Sequence, residues 1–300
     1  MTNRRAFLKH LGIGALSVSV LPSMALPMNF ARNRKPFFEI SLAEWSLHRT
    51  LFAKKLDNLD FPETAAKTFG IHAVEYVNQF FKDKANDKAY LSDLLQRAKD
   101  HGVKNVLIMV DGEGALGAPD DKERLQAVEN HFKWVEAAKF LGCHAIRVNA
   151  AGKGTSDEVK TAAIDGLGRL SEFAAPHGIS VIVENHGGIS SHGDWLSAVL
   201  QEVGKENCGS LPDFGNFYEY DRYQGVQDLM PFAKGVSAKA LTFDKQGNEA
   251  NIDYRKMLQI VKDAGYQGYI GIEYEGKELS EEEGIKATKR LLERVGEALS

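Results

Sequence analysis

Three acidic residues end or closely follow apolar runs, where carboxylates can do chemistry. Glu184 ends Val181-Ile182-Val183-Glu184 and leads into Asn185-His186-Gly187-Gly188. Asp213 follows Ser210-Leu211-Pro212 and opens Phe214-Gly215-Asn216, and Glu273 ends Tyr269-Ile270-Gly271-Ile272-Glu273. Glu44, Glu75, Asp111, Asn149, Lys239 and Asp244 stand in comparable places. Carboxylates that converge raise one another's pKa unless a cation lies between them. An oxygen donor set favours a hard divalent ion such as Mg or Mn. Taken singly, each acid reads equally well as a solvated loop residue or a helix N-cap. The elements that carry them decide whether they meet.

One pattern recurs along the chain: an amphipathic helix, a glycine, then a β-rich run ending in a polar residue. The glycines are Gly70, Gly102, Gly142, Gly178 and Gly265, with looser copies at Gly204 and Gly235, and successive ones lie 26 to 40 residues apart. A glycine suits the end of a helix because it enters the left-handed conformation without steric cost. Adding a first strand over Phe37–Leu42 makes eight strand-plus-helix units. Strands that are nearly continuous apolar runs, separated by helices, imply a parallel sheet covered by helices. Eight such units close into a single-domain (β/α)8 TIM barrel, whose active site lies at the C-terminal ends of the strands. A doubly wound open sheet is the rival, and the first strand lacks the glycine-rich dinucleotide loop it would need. Asp120 to Leu141 spaces Leu125, Val128, Phe132, Val135, Ala138 and Phe140 as a helical seam; Ser156 and Ser280 are expected N-caps, the latter for a final helix to Leu299.

The first 25 residues read as an export signal, leaving 26–300 for the barrel. Arg4-Arg5 precedes an apolar run, Leu11 to Leu21, that is short for a bilayer span, and Ser23-Met24-Ala25 places small residues where a signal peptidase cuts. The segment Asn3-Arg4-Arg5-Ala6-Phe7-Leu8-Lys9 resembles a twin-arginine signal, which implies the twin-arginine export machinery as a partner, a periplasmic destination and no stable membrane span after cleavage. An ordinary secretory signal or an uncleaved anchor is the alternative. A net charge of −4 and a pI near 6.2 argue against nucleic acid as the main ligand. Cys143 and Cys208 lie far apart in apolar settings and are expected as free buried thiols.

At Glu184, Asp213-Phe214-Gly215-Asn216 and Glu273 the chain resembles the sugar phosphate isomerase/epimerase group of the xylose isomerase-like barrels, over essentially its whole mature length. The resemblance implies a divalent cation (Mn, Mg, Co or Zn) held by Glu184, Asp213 and Glu273, with the two glutamates moving protons between neighbouring carbons of a sugar. One departure stands out. The family usually carries a histidine ligand on the seventh strand, and here Val236-Ser237-Ala238-Lys239-Ala240-Leu241-Thr242-Phe243-Asp244 has none. Lys239 is expected to face substrate as a third catalytic group, leaving the fourth metal position to His186, water or the substrate. His186, His192, Asn149, Glu75 and Asn216 are candidate substrate contacts, and Arg147 shares a side-chain face with Asn149. Trp45, Phe80, Phe81, Phe217, Tyr218 and Tyr220 are candidate rim aromatics for stacking on a sugar.

The leading expectation is an exported sugar isomerase or epimerase working by proton transfer beside a carbonyl. A lyase or hydrolase of keto-glycosides would use the same site, and a barrel that binds sugar without turning it over is a third reading. An endonuclease is disfavoured by the scarcity of histidines at strand ends and by the acidic charge balance.

Overall fold

The computed structural model describes residues 35–300. The expected signal segment, with Arg4 and Arg5, lies outside the described residues. Eight parallel strands form the sheet: β1 Glu39–Ala43, β2 Ala73–Val77, β3 Lys104–Met109, β4 Ala145–Asn149, β5 Ser180–Glu184, β6 Cys208–Leu211, β7 Val236–Ala240 and β8 Tyr269–Tyr274. They pair in the order β6-β5-β4-β3-β2-β1-β8-β7. Between β6 and β7 the ring is completed by two isolated bridges, Ser210 with Ala233 and Asp213 with Ser237. Pro212 lies between them and has no N–H to donate, so a regular ladder cannot form there. Its carbonyl still accepts from the Ser237 N–H at 2.9 Å.

The helices are α1 His48–Phe52, α2 Phe61–Phe69, α3 Lys88–Asp100, α4 Asp121–Leu141, α5 Ser156–Ala174, α6 Gly193–Val203, α7 Arg222–Leu229, α8 Tyr254–Asp263 and α9 Glu281–Leu299. Strand alternation explains how they cover the barrel. Val74, Tyr76, Ile108, Val148, Val183, Val236, Ala238 and Ile272 belong to the cluster shared with the helices, whereas Ala43, Val77, Leu107, Met109, Ile182 and Leu211 form a second cluster inside the barrel. This is the expected single-domain (β/α)8 TIM barrel.

Several local expectations need correction. Gly70, Gly102, Gly142, Gly178, Gly204 and Gly265 have positive φ, but Gly235 does not. Gly235 instead allows close approach, since an added Cβ would lie 3.3 Å from a Leu211 methyl and 3.4 Å from one of Ile182. The N-cap of α5 is Thr155, not Ser156, and its hydroxyl and Glu158 make a reciprocal capping box. In α4 the buried face runs through Arg124, Ala127, His131, Trp134 and Leu141, leaving Leu125 and Phe140 exposed. Arg124 belongs inside because Asp165, Asp121 and the Ala118 carbonyl satisfy its guanidinium.

Candidate metal centre

Glu184 on β5, Asp213 just beyond β6 and Glu273 on β8 are all buried, and one carboxylate oxygen of each lies within 4.8 Å of the others. The Asp213-Phe214-Gly215-Asn216 turn holds two of them in place. Asp213 Oδ1 accepts the N–H groups of Gly215 and Asn216, both at 2.8 Å, while Asn216 Nδ2 donates to Glu184 Oε1 at 3.0 Å. Asn185 clamps the turn from β5, donating to the Asp213 carbonyl and accepting its N–H. Gly215 is required by crowding, because a Cβ there would fall 2.5 Å from Cγ of Lys239. Ser237 donates to Asp213 Oδ2 at 2.6 Å and stands 3.3 Å from Glu273 Oε2.

Two buried cations flank the acids. Lys239 donates to Glu273 Oε1 at 2.5 Å and to Glu275 Oε1 at 3.0 Å. Arg147 on β4 places Nε 2.9 Å from Glu184 Oε2 and donates from Nη1 to Asp111 Oδ1 at 2.7 Å. Each glutamate therefore has a cation at its side, and each cation a further acid behind it. Asn149 joins the second arm, donating to Asp111 Oδ1 at 2.8 Å.

The electrostatics follow from this packing. Burial raises the Glu184 carboxyl well above the usual range, with Arg147 opposing and Glu273 and Asp213 reinforcing the shift. Burial also pushes Asp213 up to about 6 against the pull of Lys239. Glu273 goes the other way: burial would raise it, but Lys239 outweighs that and holds it low. Asp111, desolvated but bound to Arg147, is lowered to about 2. Two of the three clustered acids thus resist ionisation even beside Arg147 and Lys239. The site carries more acid than those cations balance, and its donors are all oxygens, so the three residues fit a hard divalent ion.

Residues 64–295 match the family described as the xylose isomerase-like TIM barrel. The chain belongs to that family. Among solved structures, similar folds include the IolI protein with a bound zinc atom, at 17% identity and a TM-score of 0.67 over 86% of this chain and 98% of that one. D-psicose 3-epimerase in the presence of D-fructose shares 13% identity, with a TM-score of 0.64 over 87% of this chain and 96% of that one. The apo 3-keto-D-glucoside 4-epimerase YcjR from E. coli shares 16%, with a TM-score of 0.62 over 86% of this chain and 99% of that one. No curated protein matches the sequence.

Within this xylose isomerase-like scaffold the other candidate residues fall at different depths. His186 opens to solvent at the mouth, and surrounding protein and the Arg147 charge lower its pKa. It is outside the carboxylate trio that could hold a metal. His192 is half-buried, its ring 5.5 Å from that of Tyr220. Glu75 is not at the end of β2 but in its middle, buried inside the barrel with Oε1 accepting from Ser41 at 2.6 Å. An added Cβ on Gly271 would sit 2.5 Å from Glu75 Oε2, so the glycine makes room for that carboxyl. Glu44 is buried and accepts the Val77 N–H, and Asp244 organises an exposed turn by accepting from Gln246 and Asn248. Among the aromatics, Phe81 and Phe217 are core residues, Tyr218 is exposed, and Trp45 and Phe80 pack over the barrel-interior cluster. Sequence reading did not name Ser237 or Glu275 as site residues, although Ser237 lies two residues before Lys239 on β7 and Glu275 two residues after Glu273, just past the end of β8.

Proposed function

We propose that this chain is a divalent-metal-dependent sugar isomerase or epimerase that transfers a proton beside a carbonyl. The observation that carries the reading is the buried trio Glu184, Asp213 and Glu273, with a cation salt-bridged to each glutamate. When bound, the metal supplies polarisation of a substrate carbonyl and its neighbouring hydroxyl, which makes the adjoining C–H acidic. Glu184 and Glu273 come from different strands and approach the mouth from different sides. One removes the proton and the other can return it, giving inversion at one carbon or transfer to the next. Arg147 opposes the rise that burial imposes on the Glu184 carboxyl and stands 2.9 Å from its Oε2. Lys239 spends two of its three donors on Glu273 and Glu275, leaving one for a substrate oxygen. Two similar structures, by their names, act on D-psicose and on a 3-keto-D-glucoside, and a third holds zinc, which supports sugar chemistry and metal use.

The decisive experiment combines metal analysis with isotope exchange. Purified protein should carry close to one divalent ion per chain, and Asp213→Asn and Glu184→Gln should lose it while remaining folded by circular dichroism. In D2O the metal-loaded protein should incorporate deuterium beside the carbonyl of a ketose or keto-glycoside. Full metal retention in the double substitution would remove the reading. Metal binding without exchange on any sugar tested would leave a sugar-binding barrel.

A second reading is elimination or hydrolysis of a keto-glycoside. It is favoured by Lys239 in the region where the family usually has a histidine ligand, because an ammonium can protonate a departing glycosidic oxygen. Release of aglycone faster than deuterium exchange into recovered substrate would select it. We further propose export by the twin-arginine route, on the strength of Arg4-Arg5 and the apolar run after it. Replacing both arginines by lysine should leave precursor inside the cell, and unchanged export would point to the general secretory route.

A further inference from the structure

Beside the mouth, at the ends of β1 and β2, three aromatic rings form one wall. Trp45 and Phe80 pack over the barrel-interior cluster with ring centroids 6.1 Å apart. Phe52, at the end of α1, lies 6.0 Å from Trp45 and 5.1 Å from Phe80. Its ring is 56% exposed, a large apolar surface left facing water next to a polar site. The wall borders a cavity of about 370 Å³, lined by Phe52, Phe80, Lys54, Asp57, Asn58 and Gln79 among others. That volume lies within the range of small-molecule sites.

The lining mixes two ring faces with an ammonium, a carboxylate and two amides. A sugar ring needs the same mixture, having a C–H face that stacks on aromatics and a rim of hydroxyls that both give and take hydrogen bonds. Asn58 is only 4% exposed, and its Nδ2 donates to the Tyr90 hydroxyl at 2.8 Å, which fixes its amide in place. Lys54 adds a mark of its own. Its φ of 55° makes it the one non-glycine with positive φ among the described residues. It occupies the left-handed step after α1, where glycine is usual, and so sets a long cationic side chain on the cavity rim.

We propose that this cavity is an outer subsite for a pyranose ring, so that the substrate is a glycoside or oligosaccharide rather than a lone monosaccharide. The reacting ring occupies the mouth, and the second ring lies against Phe52 and Phe80. The inference rests on the sugar-enzyme reading above and names its substrate class.

Calorimetric titration of the metal-loaded protein with glucose, maltose, cellobiose, trehalose and sucrose tests it. At least one disaccharide should bind about tenfold or more tightly than glucose. Phe52→Ala, at an exposed position the fold tolerates, should erase that advantage, Phe52→Tyr should restore it, and glucose should bind all three proteins alike. The subsite is refuted if no disaccharide outbinds glucose, if Phe52→Ala keeps the advantage, or if glucose weakens in parallel. Metal content measured on the same samples separates the two ideas. A Phe52-dependent disaccharide preference in a protein that takes up no metal sinks the catalytic reading alone. Metal-dependent exchange on monosaccharides with no disaccharide preference sinks the subsite alone.

Discussion

Lys239 and Arg147 each hold one glutamate, and their chemistry differs. A guanidinium stays protonated at any accessible pH, whereas an ammonium can release a proton when its surroundings change. Glu184 is therefore paired with a delocalised guanidinium and Glu273 with a compact ammonium, which burial would lower but Glu273, Asp213 and Glu275 hold well above the usual lysine range. If Lys239 acts on charge developing at a substrate oxygen, Lys239→Met should keep the metal but lose about 3 kcal/mol of transition-state stabilisation. That corresponds to a fall of about two orders of magnitude in kcat/KM, measured beside metal content. Near-wild-type turnover in Lys239→Met would reduce the lysine to a structural counter-ion. The strand-end acids were legible in the sequence because each follows an apolar run, and the structure brings Glu184, Asp213 and Glu273 within reach of one ion. The depth of a residue was less legible. Alternation puts Glu75 on the same face as Ala73 and Val77 without saying that it lies mid-strand under the mouth. The pairing of Arg147 with both Asp111 and Glu184 needed β3, β4 and β5 side by side.

The repeating unit of helix, glycine and strand was written plainly enough to yield eight strands and their parallel order. The reason is chemical: six of the seven glycines occupy left-handed backbone that other residues enter only at a steric cost. Gly235 shows the limit of that signal, since there glycine answers to the crowding of Leu211 and Ile182 rather than to φ. The irregular closure between β6 and β7 also has a local cause, in Pro212, and a functional consequence. Freed from a regular ladder, the chain after Leu211 turns at once through Asp213 to Asn216 and presents two side chains to the site. The seam of α4 was legible at Val128, Val135 and Ala138 but missed at Leu125 and Phe140, because helical spacing fits several faces of so long a helix. Arg124 and His131 are buried by satisfied hydrogen bonds, which an apolar count does not register. Caps were legible to within one residue: Thr155 rather than Ser156, and Ser280 as expected.

Across the whole molecule, a barrel that buries acids in its interior should be less stable at neutral than at mildly acidic pH, and most so without metal. Glu75 makes the sign explicit. Burial moves its carboxyl from 4.5 to about 7, opposed by the Ser41 hydrogen bond and reinforced by Glu273. Below pH 4.5 the folded and unfolded chains both hold this proton, and above 7 both have lost it. Between those values the folded chain binds more protons than the unfolded one, so stability falls as pH rises. At 1.36 kcal/mol per pKa unit the full effect is about 3 kcal/mol. Asp213, raised to about 6, acts in the same direction in the metal-free protein, but a bound cation would favour its ionised form and remove its share. Glu75→Gln, similar in shape and neutral throughout, should match the wild type near pH 4.5 and exceed it by up to about 3 kcal/mol near pH 8. Urea unfolding of metal-free protein across that range measures the difference, and repeating it with metal bound should leave the Glu75 part intact. Parallel stability profiles for wild type and Glu75→Gln would mean that this carboxyl is already ionised in the fold, with a donor or cation at its second oxygen.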